Sequence, residues 1–201
     1  YVYNSSITTT GGNVSMAGES AYSTASWASF ITGTNIDGSV INTGTGSISL
    51  TGVASGSYYN GGYGMELANS SLISTTGAIT LKGEVSSTAN VGLDGSQRVF
   101  ATYIRNQSLI NTTSGAINIY GNSTANARYG GGIWVGTNAM GGAGGDGNVN
   151  NPASVANGYS SSIVTDSGSV LVDARLTATR TDGWSHALIF LSRNTDRQLI
   201  K

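Results

Sequence analysis

Residues 108–121 read SLINTTSGAINIYG. Nearly the same words stand at 71–83, SLISTTGAITLKG, and looser versions at 39–52 (SVINTGTGSISLTG), 6–18 (SITTTGGNVSMAG) and 161–174 (SSIVTDSGSVLVDA). One such unit is too short to cover its own apolar face, so recurring units bury their surface by stacking on one another.

Each unit falls into three parts. A short apolar strand comes first, Leu109-Ile110-Asn111-Thr112 in one copy and Leu72-Ile73-Ser74-Thr75 in the copy before it. After a glycine-containing turn, a second strand alternates apolar and polar residues. One apolar column is Val14, Ile48, Ile79, Ile117 and Val170, and the next is Met16, Leu50, Leu81, Ile119 and Val172. Ser15, Ser49, Thr80 and Asn118 fill the opposite face, and only Leu171 interrupts it. A period of two belongs to a half-buried strand and excludes a helix. A small residue then closes the strand at Gly18, Gly52, Gly83, Gly121 and Ala174.

The third strand is apolar on both faces (SFITGTN, GMELAN, TYIRN, GIWVGTN, LIFLSRN), which leaves its register open by one residue. Every copy ends on asparagine, giving the column Asn4, Asn35, Asn69, Asn106, Asn138 and Asn194. Asparagine tolerates left-handed backbone angles, and its amide both donates and accepts, so this column is expected to form a ladder at a corner of the coil.

Units of this length with three strands each do not suit tight hairpins. They suit a coil in which each strand pairs in parallel with its own copy one unit later. The expected fold is therefore all-β, a parallel β-helix (β-solenoid) with three short strands per coil, about five to six coils and open ends. At roughly 4.8 Å per coil this makes a rod on the order of 25 Å long. Residues 1–201 form one such segment, and an insertion at about 139–161, which holds the single proline, Pro152, reads as an exposed loop.

Nine basic and ten acidic side chains give neither a basic stripe for nucleic acid nor an acidic tail, so a nucleic-acid partner is not expected. Thirty glycines and many Ser, Thr and Asn residues hint at disorder, but hydrophobic residues make up 38% and fall at regular places. The absence of cysteine excludes disulfides and thiolate metal sites. Apolar runs such as HALIFL at 186–191 are far shorter than the roughly 20 residues of a membrane span. A chain that opens on YVYNSS and stops in mid-unit at RQLIK is expected to be processed, or to be part of something longer.

The stretch from Ile73 through Thr75, Gly77, Ile79 and Leu81 to Gly83 resembles the repeats of large secreted bacterial surface proteins, the filamentous-haemagglutinin type of adhesin and related autotransporter passengers. The resemblance covers almost the whole chain. It implies a right-handed β-helical shaft, an extracellular or cell-surface location and a structural or adhesive role.

Catalytic chemistry finds little support. His186, the single histidine, stands at the start of a strand with no nucleophile motif, and reads as an ordinary strand-edge residue. Acid–base cleavage of sugars needs two carboxylates close together. Asp166 and Asp173 share a coil, but Thr112 and Tyr120 precede them in the column, then Thr75 and Lys82. GGAGGDGNV at 141–149 approaches a calcium nonapeptide, but it occurs once and Asn148 replaces the required apolar residue. No catalytic residue, metal or cofactor is therefore assigned.

Tyr58, Tyr59, Tyr63 and Tyr129, in glycine-rich loops, are the candidate contacts for a ligand. The expected partners are other copies joined end to end, or further coils of a longer chain, together with a carbohydrate or a cell-surface receptor. The expected function is a rod segment of an extracellular filament or adhesin. The alternative is a polysaccharide lyase or hydrolase whose site is built from loops.

Overall fold

The computed structural model describes residues 1–22, 31–56, 61–87, 98–127, 129–136, 161–177, 184–190 and 199–200. Among these, every regular element is a β-strand, and every strand pairing is parallel. No helix among the described residues is long and apolar enough to cross a membrane.

Three sheets result, each made from one strand per coil. The first holds β2 (Ser6–Thr8), β5 (Val40–Asn42), β8 (Ser71–Ser74), β11 (Leu109–Thr112), β14 (Ser162–Thr165) and β17 (Leu199–Ile200). The second holds β3 (Val14–Tyr22), β6 (Ile48–Gly56), β9 (Ile79–Ser86), β12 (Ile117–Ser123) and β15 (Val170–Leu176). The third holds β1 (Val2–Tyr3), β4 (Ile31–Asp37), β7 (Gly61–Ala68), β10 (Arg98–Arg105), β13 (Tyr129–Gly136) and β16 (Trp184–Phe190). Each strand hydrogen-bonds to its copy in an adjacent coil, and those inside a sheet to the copies both before and after, so the fold is a three-sided β-solenoid.

The second sheet has the expected register: Val14, Ile48, Ile79, Ile117 and Val170 pair in one line, and Met16, Leu50, Leu81, Ile119 and Val172 in another. Ile79, Ile117, Leu50, Leu81 and Ile119 are wholly buried in the main core. At about 1.5–3 kcal/mol for each fully buried aliphatic side chain, these columns dominate the stability of the coil.

The first sheet departs from the motif alignment by one residue. Ile110 pairs with Leu72, not with Ile73, and the inward line is Ile7, Ile41, Leu72, Ile110 and Ile163. The corner into the second sheet sets this register. From Ile7 to Val14, Ile41 to Ile48, Leu72 to Ile79, Ile110 to Ile117 and Ile163 to Val170, the step is always seven residues. The spare residue is taken up earlier, where Asn106 and Gln107 both adopt positive φ, 55° and 60°. Asp166 likewise follows Thr165, which pairs with Thr112, and so lies one position beyond the Thr112 column in which the sequence alignment sets it.

The glycine column does not end the second strand. β6 runs on from Gly52 to Gly56, and β3 from Gly18 to Tyr22. The small residue is needed because the third sheet crosses there at backbone contact. A Cβ on Gly52 would lie 2.0 Å from the Gly64 carbonyl oxygen, and one on Gly83 only 1.8 Å from that of Ala101. This pinch divides the interior. On one side is the main core; on the other is a smaller one of Ile31, Ala54, Val85, Val99, Ala101, Ala125 and Ala127.

Candidate functional site

The asparagine corner is only partly as expected. Asn4, Asn69 and Asn106 all have left-handed φ, between 46° and 55°, but the coil between Asn4 and Asn69 uses Gly38 (φ 60°) at that position. Asn35 lies three residues earlier, paired with Glu66, because a glycine does the same conformational work and no asparagine is required there. Asn138 and Asn194 lie outside the described residues. Asn69 donates from Nδ2 to Asp37 Oδ1 (3.0 Å), so its amide reaches a carboxylate and not the amide of a neighbouring copy.

Serine makes the ladder at this corner. The backbone N–H of Ser5 donates to Ser39 Oγ (3.1 Å), that of Ser39 to Ser70 Oγ (3.0 Å) and that of Ser70 to Ser108 Oγ (3.5 Å). The hydroxyls of Ser39 and Ser70 turn back to the carbonyls of Asp37 (2.8 Å) and Ala68 (2.6 Å). Each buried serine thus satisfies one donor of the preceding coil and one carbonyl of its own turn.

Of the aromatic candidates, Tyr58 and Tyr59 lie outside the described residues. Tyr129 pairs through its backbone in β13, and its side chain lies outside them as well. Tyr63 is not an exposed loop residue. It sits in β7, 6% exposed, in a cluster with Phe100, Tyr103 and Trp134 on the outward side of the third sheet. Its ring centroid is 4.7 Å from that of Tyr103, and those of Phe100 and Trp134 are 4.9 Å apart, in the tilted arrangements that aromatic quadrupoles favour. Stacking in register produces the cluster: Tyr63 pairs with Phe100, and Tyr103 with Trp134. His186 pairs with Gly131 and is exposed.

Beside this cluster the structure gathers the charged residues Glu66 and Arg105, which share no column of the repeat. Glu66, 4% exposed, accepts a hydrogen bond at Oε1 from Arg105 Nε (2.8 Å) and another at Oε2 from Asn35 Nδ2. The three residues come from three successive coils. Arg105 stands over Ala68 and Glu66 over Asn35, so the guanidinium reaches diagonally across the small alanine to the carboxylate. Its charged carbon also lies 5.7 Å from the Tyr103 ring centre. Asn35 Oδ1 is buried and has no hydrogen-bond partner among the described residues, an arrangement that costs about 1–3 kcal/mol until a donor reaches it.

Burial raises the Glu66 carboxyl above its ordinary value and Asp37 adds to the shift, against the opposing pull of Arg105 and Asn35. At Arg105 burial acts to lower the value, yet the attraction of Glu66 prevails and raises it. The partners differ because the Glu66 side chain is 5% exposed and that of Arg105 20%, so only the carboxylate loses nearly all its water. Burial also raises Tyr63 well above the usual phenol value and Tyr103 to about 12, so both stay neutral at ordinary pH.

These side chains border a pocket of about 540 Å³ whose walls include Thr32, Asn35, Asp37, Tyr63, Glu66 and Arg105 of the third sheet, together with Tyr1 and with Ser20 of β3 in the second. Two carboxylates and one guanidinium give it a formal charge of −1 when both acids are ionised. No group of three or more His, Cys, Asp or Glu side chains able to hold a metal ion occurs among the described residues. Third-strand charges were the available signal in the sequence: Glu66 between Met65 and Leu67, and Arg105 after Ile104. Without the register, nothing in the sequence brings them together. Asp173, by contrast, pairs with Arg175 on its own strand at 2.8 Å and stays exposed to solvent with it.

No protein-family model, curated protein or solved structure matches this chain.

Proposed function

We propose that the chain is a structural and adhesive rod segment of an extracellular bacterial filament or cell-surface adhesin. The observation that carries this reading is the depth of the sheets, six, six and five strands, each in register with its copies along one axis. Such a molecule grows by adding coils, and its length is its function. The strands that bound each sheet pair on one side only among the described residues, β2 with β5 and β3 with β6 for example. Their other edges carry N–H and C=O groups suited to a second copy, or to further coils of a longer chain. Electron microscopy and light scattering over a range of concentrations test the assembly. Particles that lengthen with concentration in steps of one copy support it; monodisperse particles one copy long at every concentration overturn self-association.

A second reading has one specific observation in its favour: Glu66, Asp37 and Arg105 share a pocket, as in a polysaccharide-cleaving enzyme. Against it, both Glu66 oxygens already accept hydrogen bonds, which hampers a role as proton donor. New reducing ends or unsaturated products from a polysaccharide panel, lost in Glu66→Gln, would establish the enzyme. An inactive wild-type chain would dismiss it.

A further inference from the structure

We infer that the pocket beside the third sheet, lined also by Ser20 of the second, binds a neutral, hydroxyl-rich ligand, a saccharide unit held at the side of the rod. The site is built from three coils at once, since Asn35, Glu66 and Arg105 come from β4, β7 and β10. It therefore exists only when the coils stack in register.

The wall chemistry selects the ligand class. Acceptors are present in the Asp37 carboxylate and in Asn35 Oδ1, which lacks a partner among the described residues and belongs to a residue 8% exposed. A donor is present in the Arg105 guanidinium, of which Nε alone is engaged with Glu66 among the described residues. Thr32 supplies a hydroxyl, and Tyr63 and Tyr1 supply aromatic surface.

An anion meets two carboxylates against one guanidinium already paired, so it is repelled. An amine finds acceptors but is set against Arg105 in the same pocket. An apolar group leaves Asn35 Oδ1 without a donor among the described residues. A metal ion would compete with Arg105 and Asn35 for the Glu66 oxygens. Adjacent hydroxyls donate to Asn35 and Asp37 while accepting from Arg105, and C–H faces of a sugar ring suit the tyrosines.

The test of this inference is separable from that of the rod reading, because particle length reports assembly and ligand contact reports the pocket. The test is saturation-transfer NMR on the whole chain with glucose, galactose, mannose and N-acetylglucosamine, alongside putrescine and inorganic phosphate. At least one neutral sugar is expected to receive saturation. Asn35→Ala should weaken it by about three- to tenfold, the worth of one hydrogen bond.

Should Asn35→Ala fail to fold by circular dichroism, Thr32→Val serves as the milder wall variant, with a smaller loss. Lys82→Ala, on the second sheet and paired there with Glu84, should leave sugar binding unchanged. Saturation of no sugar, of putrescine or phosphate alone, or of a sugar unaffected by the folded wall variant overturns the proposal.

Discussion

Replacing Ile110 and Ile73 separately by alanine decides whether corner length or motif likeness sets the first sheet. The repeated words SLI align Ile110 with Ile73, whereas the structure pairs Ile110 with Leu72 and turns Ile73 outward beside Asn42 and Asn111. Ile110 is wholly buried and Ile73 half-buried. Ile110→Ala removes three carbon atoms from the main core. Transfer alone costs about 2.4 kcal/mol at ~0.8 per methylene, and the residual cavity brings the total into the range of about 2–5 kcal/mol. Ile73→Ala loses part of the same area without opening an interior cavity, so its cost stays near or below about 1 kcal/mol. Urea unfolding followed by circular dichroism measures both. Because solenoids can open coil by coil, hydrogen exchange of the β8 and β11 amides shows where the loss falls. Equal costs at the two positions, or a cost below about 1 kcal/mol at Ile110, would refute the register argument.

Three further outcomes follow from the geometry. Gly83→Ala places a Cβ 1.8 Å from a backbone carbonyl oxygen and should destabilise by about 3 kcal/mol or more, whereas Gly12→Ala, whose nearest neighbour is 3.7 Å away, should be neutral or slightly stabilising; thermal melts of the two variants compare them directly. Asn69→Gly should preserve stability while Asn69→Val, a β-branched residue held at φ 47°, should lose about 1–3 kcal/mol, and similar melts for both would dismiss the conformational role of the corner. Burial raises the folded-state value of Glu66, so the folded chain binds this proton more tightly than the unfolded chain does. Its contribution is fully present below the ordinary glutamate value of 4.5 and is lost as pH rises through the raised value. Denaturation across that window should show stability falling with pH, and Glu66→Gln should flatten this part of the slope; an unchanged slope would show that Glu66 does not titrate as argued.

How much of this was legible depended on what each strand faces. In the second strand one face is core and the other is not, so Ile117, Asn118 and Ile119 alternate, and the period gives the register as well as the element. In the first strand, Leu109 and Ile110 are consecutive apolar residues, and hydrophobicity alone does not say which points inward. The answer lay in the constant seven-residue step to the next column, a distance and not a similarity. The glycine column was visible but its cause was not. A glycine that ends a strand and one that admits a crossing backbone look alike until the second strand of contact is known.

The third strand explains why the pocket stayed hidden. In β7 every residue is buried, with Met65 and Leu67 turned to the main core while Tyr63 joins the aromatic cluster on the other side. A strand covered on both faces loses the period of two, and with it the only cue to which residues are neighbours. What survives is chemical incongruity. A carboxylate between Met65 and Leu67 is too costly to bury without partners, so Glu66 implies a cation and donors nearby before any partner can be named. Arg105 and Asn35 meet that demand from adjacent coils, Asn35 because Gly38 holds the corner in its coil and leaves the asparagine three residues earlier, beside Glu66. In a solenoid the repeat therefore specifies the shaft, while recognition is to be sought where a buried charge breaks the repeat.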